Sequence, residues 1–225
     1  MKGGLQAVME RYALLAAVGY LIGSIPFGLY VARYGRVSGG LRASSGVAVA
    51  PLELYRRSER DRRLAGAAFL LELLKGFLPT FTGYLTLGTP GALSGGSAAL
   101  VGHSFPFFGR LRGSNSLAPL LGVLFAVYPV VVVILGMVWT ATLAAWRYAS
   151  LAALVTAAVS PLALAALDVG GGYENALVLA AVFWSLLTFF AQRENIRRLI
   201  SGREARIDAP VGDERGEAPR GRRVR

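Results

Sequence analysis

Long apolar runs separated by short charged blocks organise this chain of 225 residues. An apolar stretch of about 18 residues or more is typical of a helix that spans a bilayer. We therefore predict an all-α polytopic membrane protein with seven transmembrane helices. The predicted spans are Tyr12 to Val31, Leu64 to Leu87, Ala92 to Phe108, Leu117 to Tyr128, Pro129 to Arg147, Ser150 to Leu167 and Asn175 to Ala191.

The fourth and fifth spans come from one apolar run, Leu117 to Trp146, which is too long for a single untilted crossing. Proline removes a helix hydrogen-bond donor and clashes with the preceding turn. Pro129 therefore predicts a break after Tyr128, which leaves a short fourth helix and a fifth helix that ends at Arg147.

Basic residues fall in alternate connections between these spans. Eight Lys and Arg follow the first span, two follow the third, one follows the fifth, and ten lie in the tail from Gln192 onward. By the positive-inside rule, this pattern predicts an N-terminus outside and a cytoplasmic C-terminus, with Lys2 and Arg11 as exceptions. We expect one membrane domain over residues 1–207. Residues 208–225, rich in charge, Gly and Pro, are predicted to be disordered.

The composition narrows the possible chemistry. With 54% hydrophobic and 16% charged residues, a soluble enzyme is excluded. The chain has no Cys and one His, which excludes a thiolate nucleophile, a disulfide framework, and Cys-rich or His-rich metal sites. We expect no cofactor. We also expect no nucleic-acid partner, because the net charge of +11 follows from the arginines that lie beside the spans. The expected partner is the lipid bilayer.

Few ionisable residues lie at membrane depth, and each is a candidate for function. Glu72 and Lys75 are three residues apart on one helix face, so they can pair, or else Lys75 can extend to the membrane surface. His103 can act as a general base or as an interfacial hydrogen-bonding residue. Phe108 stands where one class of thioester-dependent glycerolipid acyltransferases carries an Asp, which excludes that class.

The glycines of the first and third spans predict close helix packing. Gly19 and Gly23 form a small-xxx-small pair, and Gly91, Gly95 and Gly96 crowd the start of the third span. Small residues allow helix backbones to approach closely in a membrane. We interpret these glycines as packing residues and not as a phosphate-binding loop.

The tail begins with an amphipathic pattern from Gln192 to Ile200. Glu194 and Arg198 have the i,i+4 spacing of a helical ion pair. On its own, this pattern predicts a basic helix that lies on anionic lipid head groups.

Six segments in a consistent order carry a resemblance to a known family. They are Gly23–Gly28, Leu41–Arg42, Leu74–Gly76, Gly102–Pro106, Arg147–Leu151 and Arg193–Leu199. Together, over roughly residues 12 to 207, they resemble the acyl-phosphate:glycerol-3-phosphate acyltransferases, small bacterial membrane enzymes that start phospholipid synthesis. The resemblance implies a bacterial cytoplasmic membrane location, a cytoplasmic active side, and acyl phosphate and glycerol-3-phosphate as substrates.

The resemblance also implies roles for individual residues. The implied catalytic residues are Ser45, placed by an alignment shifted by one residue, Ser150 and Asn195. The implied substrate-binding residues are Arg42, Arg56, Arg57, Lys75, His103 and Asn115.

Three segments depart from the family pattern. Asn115 replaces a lysine in a loop that resembles a phosphate cradle, which removes a positive charge but keeps hydrogen-bond donors. Gln192 replaces a histidine, and glutamine cannot act as a general base. The stretch Arg42–Ala48 lacks the two asparagines that the family carries.

These departures leave alternatives open. An acyl phosphate is already activated, so the protein needs only to place the glycerol hydroxyl against the acyl carbonyl and to bind two phosphate-bearing substrates. The first hypothesis is an active acyltransferase that makes lysophosphatidic acid. The second is a catalytically inactive paralogue that binds phosphorylated lipid precursors or a partner protein. The third is a small transport or scaffold protein.

Overall fold

The computed structural model describes residues 2–34, 59–107, 117–167, 174–204 and 206–207. All regular secondary structure in these residues is α-helical, which confirms the predicted all-α class. The tail 208–225, predicted to be disordered, lies outside the described residues. The helices are α1 (Lys2–Gly23), α2 (Phe27–Tyr34), α3 (Glu59–Ser104), α4 (Leu117–Val127), α5 (Pro129–Trp146), α6 (Ala149–Ala166), α7 (Glu174–Ala191) and α8 (Arg193–Ile200).

Helix α3 holds the second and third predicted spans, joined at a kink. Gly88 has φ 68° and ψ −155°, a conformation that L side chains rarely adopt. The two halves fold back on each other, since Gly83 faces Gly91, and Pro79, further from the kink, faces Gly95. The third predicted span therefore runs antiparallel to the second.

The first predicted span is broken. The prediction of one continuous helix from Tyr12 to Val31 was wrong, because α1 ends at Gly23 and α2 begins at Phe27. Pro26 is the physical reason: proline has no N–H and disfavours helical backbone in the preceding residue. The other proline break was predicted correctly, since Tyr128 separates α4 from α5, with Pro129 in the first turn of α5.

Glycines pack α3 against its neighbours as predicted. A side chain at Gly19 or Gly23 would meet the backbone of the second half of α3, at Gly95 or Ala99. In the first half of α3, the Leu73 carbonyl lies against Gly122 of α4. These contacts bring helix backbones close together, as small residues do at membrane helix interfaces.

We expect Gly23→Val to lower the free energy of unfolding by about 1–3 kcal/mol, because the new side chain would overlap the Ala99 backbone. Thermal unfolding of the purified protein in detergent measures the change. The control is Gly136→Val on α5, where nothing lies within 4 Å of an added Cβ. Equal effects of the two substitutions would contradict the packing role.

The apolar core lies between the second half of α3 and helices α4 to α7. It includes Leu100, Leu120, Val131 and Leu164, each almost completely buried. Trp184 of α7 is also in this core, and its Nε1 donates to Ser97 Oγ on α3 at 2.9 Å. The core therefore holds the second half of α3 against α6 and α7.

Three helical segments of the described chain are long and apolar enough to cross a bilayer: Arg63–Ser104, which contains the Gly88 kink, Pro129–Trp146 and Ala149–Ala166. Counting α7 and α8, which are bent by 63°, as one span gives a fourth. Large apolar side chains point outward from the bundle, as a lipid environment favours; they include Leu85, Met137, Leu162 and Leu186. The number of crossings and the orientation of the termini stay predictions.

Candidate active site

Two polar clusters lie among these apolar helices. We call the first the tail network; it consists of Ser150, Gln192, Asn195, Arg198 and Glu204. We call the second the break cluster; it consists of Glu72, Lys75 and His103, together with the backbone of Ile25 and Gly28.

Glu204 is the centre of the tail network. Ser150, near the start of α6, donates from Oγ to Glu204 Oε1 at 2.6 Å. Arg198 of α8 donates from Nε to Glu204 Oε2 at 2.8 Å. Arg198 also donates from Nη2 to Asn195 Oδ1. One carboxylate thus joins a hydroxyl from α6 to a guanidinium and an amide from α8.

The backbone after α8 brings Glu204 to this position. Gly202 has φ 67°, a left-handed conformation that suits glycine and ends the helix with a reversal of direction. Arg203 N then donates to Arg198 O at 2.8 Å. Further on, Ile207 N donates to Arg147 O at 2.8 Å, which attaches the tail to the connection between α5 and α6.

Gln192 lies at the bend between α7 and α8. Its side chain is 1% exposed, and its Nε2 has no hydrogen-bond partner among the described residues. Its Oε1 lies 3.5 Å from Asn195 Nδ2, a long hydrogen bond. A buried N–H group without an acceptor lowers the stability of the fold by about 1–3 kcal/mol. An acceptor oxygen of a bound ligand would relieve this cost, so Gln192 Nε2 is a candidate donor to a ligand beside Asn195.

The end of α3 reaches the same end of the bundle as the tail network. The Phe105 and Phe190 rings are 5.2 Å apart between centroids, which places the Gly102–Pro106 segment against the end of α7. Tyr20 of α1 donates from its hydroxyl to Phe105 O at 2.9 Å. The segments around His103 and Gln192 are therefore neighbours in the fold.

The break cluster is buried. Lys75 Nζ and Glu72 Oε2 are 2.7 Å apart, with each side chain at most 4% exposed. This confirms the predicted pairing and excludes the alternative in which Lys75 extends to the membrane surface. His103 Nδ1 lies 3.6 Å from Glu72 Oε2, so the histidine lies beside this buried ion pair.

The amphipathic tail helix was predicted correctly, but its ion pair was not. The predicted partner of Arg198 was Glu194, whereas the structure pairs Arg198 with Glu204. Glu194 instead faces Arg197 at 3.4 Å, and both side chains are well exposed. Glu204 is only 13% exposed, so less solvent screens its interaction with Arg198.

Sequence reasoning missed Glu204, which lies beyond the end of α8 and reaches the site only through the turn at Gly202. The one signal for it in the sequence is a charged residue two positions after a glycine that follows a helix.

The structure brings together two of the three predicted catalytic residues, Ser150 and Asn195, through Arg198 and Glu204. Lys75 and His103, predicted to bind substrate, lie in the break cluster. The other predicted site residues lie outside the described residues; they are Arg42, Ser45, Arg56, Arg57 and Asn115. In the part of the chain that the structure describes, no group of three or more His, Asp or Glu side chains could hold a metal ion.

The fold and the two clusters define an all-helical integral membrane protein with cationic and hydrogen-bonding side chains gathered at one end of its bundle. The chain belongs to the glycerol-3-phosphate acyltransferase family, since the family model described as "Glycerol-3-phosphate acyltransferase" matches residues 13–202. This confirms the resemblance found in the six sequence segments.

Individual relatives agree with this assignment. The chain is 34% identical over 202 residues to a glycerol-3-phosphate acyltransferase of Agrobacterium fabrum, an alignment that covers 90% of this chain and 95% of the relative. It is 36% identical over 204 residues to one of Rhizobium etli, with 91% and 95% covered.

Two crystal structures of PlsY (YgiH), an integral membrane glycerol 3-phosphate acyltransferase, have a similar fold. The lysophosphatidic acid form gives a TM-score of 0.75 at 30% identity, and the glycerol 3-phosphate form gives 0.74 at 29%. Each comparison covers 87% of this chain and 94% of the crystallised chain. None of these comparisons supports the alternative of an inactive paralogue.

Proposed function

We propose that this chain transfers an acyl group from an acyl phosphate to glycerol-3-phosphate, which gives lysophosphatidic acid for phospholipid synthesis. The observation that carries the proposal is the tail network. It joins Ser150 and Asn195, two residues from distant parts of the chain, through Arg198 and Glu204. The names of the relatives and the glycerol 3-phosphate form of the crystallised PlsY support glycerol-3-phosphate as the acyl acceptor.

In this reaction the glycerol hydroxyl oxygen attacks the acyl carbon of the mixed anhydride. The bond from that carbon to the phosphate oxygen breaks, and inorganic phosphate leaves. A substrate phosphate oxygen accepts the proton of the hydroxyl, since the protein places a glutamine where the family has its histidine. No acyl-enzyme forms, so the chain's task is to orient the reactants and to stabilise negative charge.

The tail network offers groups suited to these tasks. Ser150 donates a hydrogen bond to Glu204, so its oxygen keeps lone pairs that can accept a hydrogen bond from the non-reacting hydroxyl of glycerol-3-phosphate. Asn195 accepts from Arg198 with its carbonyl oxygen, and its amide keeps one N–H to donate beside the long hydrogen bond to Gln192. With Gln192 Nε2 and the remaining N–H groups of Arg198, this makes a donor set for a phosphate.

The proposal places this end of the bundle at the cytoplasmic face of the bacterial membrane. Its support is the charge pattern, because the arginine-rich tail follows α7 directly and basic segments stay in the cytoplasm. Both proposed substrates carry an anionic phosphate group that stays in contact with water, so a site at the membrane surface suits them.

We expect Asn195→Ala to lower the rate of acyl transfer about 100-fold, because it removes a donor from the proposed phosphate site. The assay follows lysophosphatidic acid made by the purified protein from palmitoyl phosphate and labelled glycerol-3-phosphate. Asn175→Ala is the matched control, since that exposed asparagine lies at the start of α7, the far end of the helix from Asn195. No turnover by the parent protein, together with glycerol-3-phosphate binding, would favour the inactive alternative.

A further inference from the structure

The break between α1 and α2 leaves backbone hydrogen-bonding groups to be satisfied within the membrane protein. Backbone groups at a helix break lose their helical partners, and the hydrocarbon core supplies no water to replace them. Gly28 N, in the first turn of α2, has no helical acceptor, because the residues before it are not helical. Ile25 O lies between the two helices, where it accepts a hydrogen bond from the nearby Phe27 N at 3.0 Å.

Helix α3 supplies a partner for each of these groups. Glu72 Oε1 accepts from Gly28 N at 3.2 Å, and Lys75 Nζ donates to Ile25 O at 3.1 Å. The carboxylate thus faces the N-terminal end of α2, and the ammonium faces the C-terminal end of α1. Both signs match the partial charges of the helix ends. The 2.7 Å contact between Glu72 and Lys75 keeps the two charges paired.

Glu72 also connects the α1–α2 break with the C-terminal end of α3. His103 Nδ1 lies 3.6 Å from Glu72 Oε2, and Phe105, two residues later, packs on Phe190 beside the tail network. In the sequence, α2 leads into residues 35–58 and α3 leads into residues 108–116. These two segments carry most of the residues that the family resemblance assigns to the substrates.

We propose that Glu72 and Lys75 are positioning residues, which hold the broken α1–α2 helix against α3 and thereby fix where both substrate-binding segments leave the bundle. The proposal rests on the proposed function for its catalytic consequence. It gives Lys75 a role through backbone contacts, in place of the direct substrate contact predicted from the sequence.

Two double variants separate positioning from charge. Glu72→Gln with Lys75→Gln removes both charges but keeps an acceptor and a donor for the backbone. Glu72→Leu with Lys75→Met removes both charges and both hydrogen-bonding groups at similar size. Replacing a buried ion pair with apolar side chains is often neutral for stability, so we expect the second variant to fold.

The first readout is a distance. Because the chain has no Cys, spin labels can be placed at Tyr30→Cys on α2 and Phe107→Cys after α3, both exposed positions. We expect a narrow distance distribution in the parent and in the Gln pair, and a broadened one in the Leu–Met pair. This readout needs no enzymatic activity, so it decides the positioning role even if the proposed function fails.

The second readout is acyl transfer. We expect kcat/KM to fall about 100-fold in the Leu–Met pair and less than about tenfold in the Gln pair. Narrow distributions in both pairs would overturn the proposal. So would a large rise in KM for glycerol-3-phosphate in the Gln pair with a narrow distribution, because it would make Lys75 a substrate ligand.

A single variant protects the test against a folding failure. Glu72→Asp keeps the charge next to Lys75 but withdraws the carboxylate from Gly28 N by one methylene. We expect this variant to fold and to show the broadened distribution. A parent-like distribution in Glu72→Asp would contradict the proposed contact.

Discussion

Glu204→Gln should lower the rate of acyl transfer about 1000-fold. The glutamine side chain is nearly isosteric, but it replaces a carboxylate oxygen with an NH₂ group. One of the two donors, Ser150 or Arg198, then faces another donor instead of an acceptor. The guanidinium of Arg198, whose side chain is 42% exposed, also loses its nearby counter-charge. Both the orientation of Ser150 and the position of Asn195 should change.

The assay for Glu204→Gln is the steady-state rate with palmitoyl phosphate and glycerol-3-phosphate, measured beside thermal stability in detergent. Glu194→Gln is the matched control, since the Glu194 carboxylate is exposed and pairs with the exposed Arg197. We expect that control to keep nearly full activity. Equal losses in the two variants would show that Glu204 has no special place in the site.

Arg198→Ala should also lower the rate about 1000-fold, because Arg198 has two functions in the proposed site. It holds Asn195 through Oδ1, and it supplies positive charge to a phosphate. Its removal also leaves Glu204 as a part-buried carboxylate without a cation, so the network loses its charge balance. We expect a higher KM for glycerol-3-phosphate as well as a lower kcat.

The neighbouring Arg197 provides the control for Arg198, because Arg197→Ala removes the same charge from an exposed side of the same short helix. Surface ion pairs such as Arg197–Glu194 contribute about 0–1 kcal/mol, so the activity and stability should change little. If Arg197→Ala were as harmful as Arg198→Ala, the basic charge of α8 as a whole would matter, as in the interpretation of α8 as a lipid-binding helix.

The helices of this protein could be predicted because the bilayer sets their length and composition. Each helix break that was predicted has a cause in the neighbouring sequence. The gap between Leu87 and Ala92 corresponds to the break at Gly88, and Pro129 corresponds to the break at Tyr128. The break at Ser24–Pro26 was missed although Pro26 was visible, because the apolar pattern continues through it. Glu72 and Lys75, which support that break, lie far away in the sequence.

The candidate site could be predicted only in part. The motif around Asn195 pointed to α8, but the spacing rule for helical ion pairs paired Arg198 with Glu194. That rule considers only residues on one helix, whereas Glu204 reaches Arg198 through the turn at Gly202. Ser150 could be placed in the site by resemblance alone, since nothing in an apolar helix start predicts a partner so distant in the sequence.

The dependence of turnover on the acyl donor tests the proposed reaction most directly. The purified protein in detergent is given labelled glycerol-3-phosphate with either palmitoyl phosphate or palmitoyl-CoA, and both lysophosphatidic acid and inorganic phosphate are measured. We predict one phosphate released for each lysophosphatidic acid formed from palmitoyl phosphate, and no product from the thioester. Product from the thioester alone, or bound glycerol-3-phosphate without any product, would contradict the proposed function.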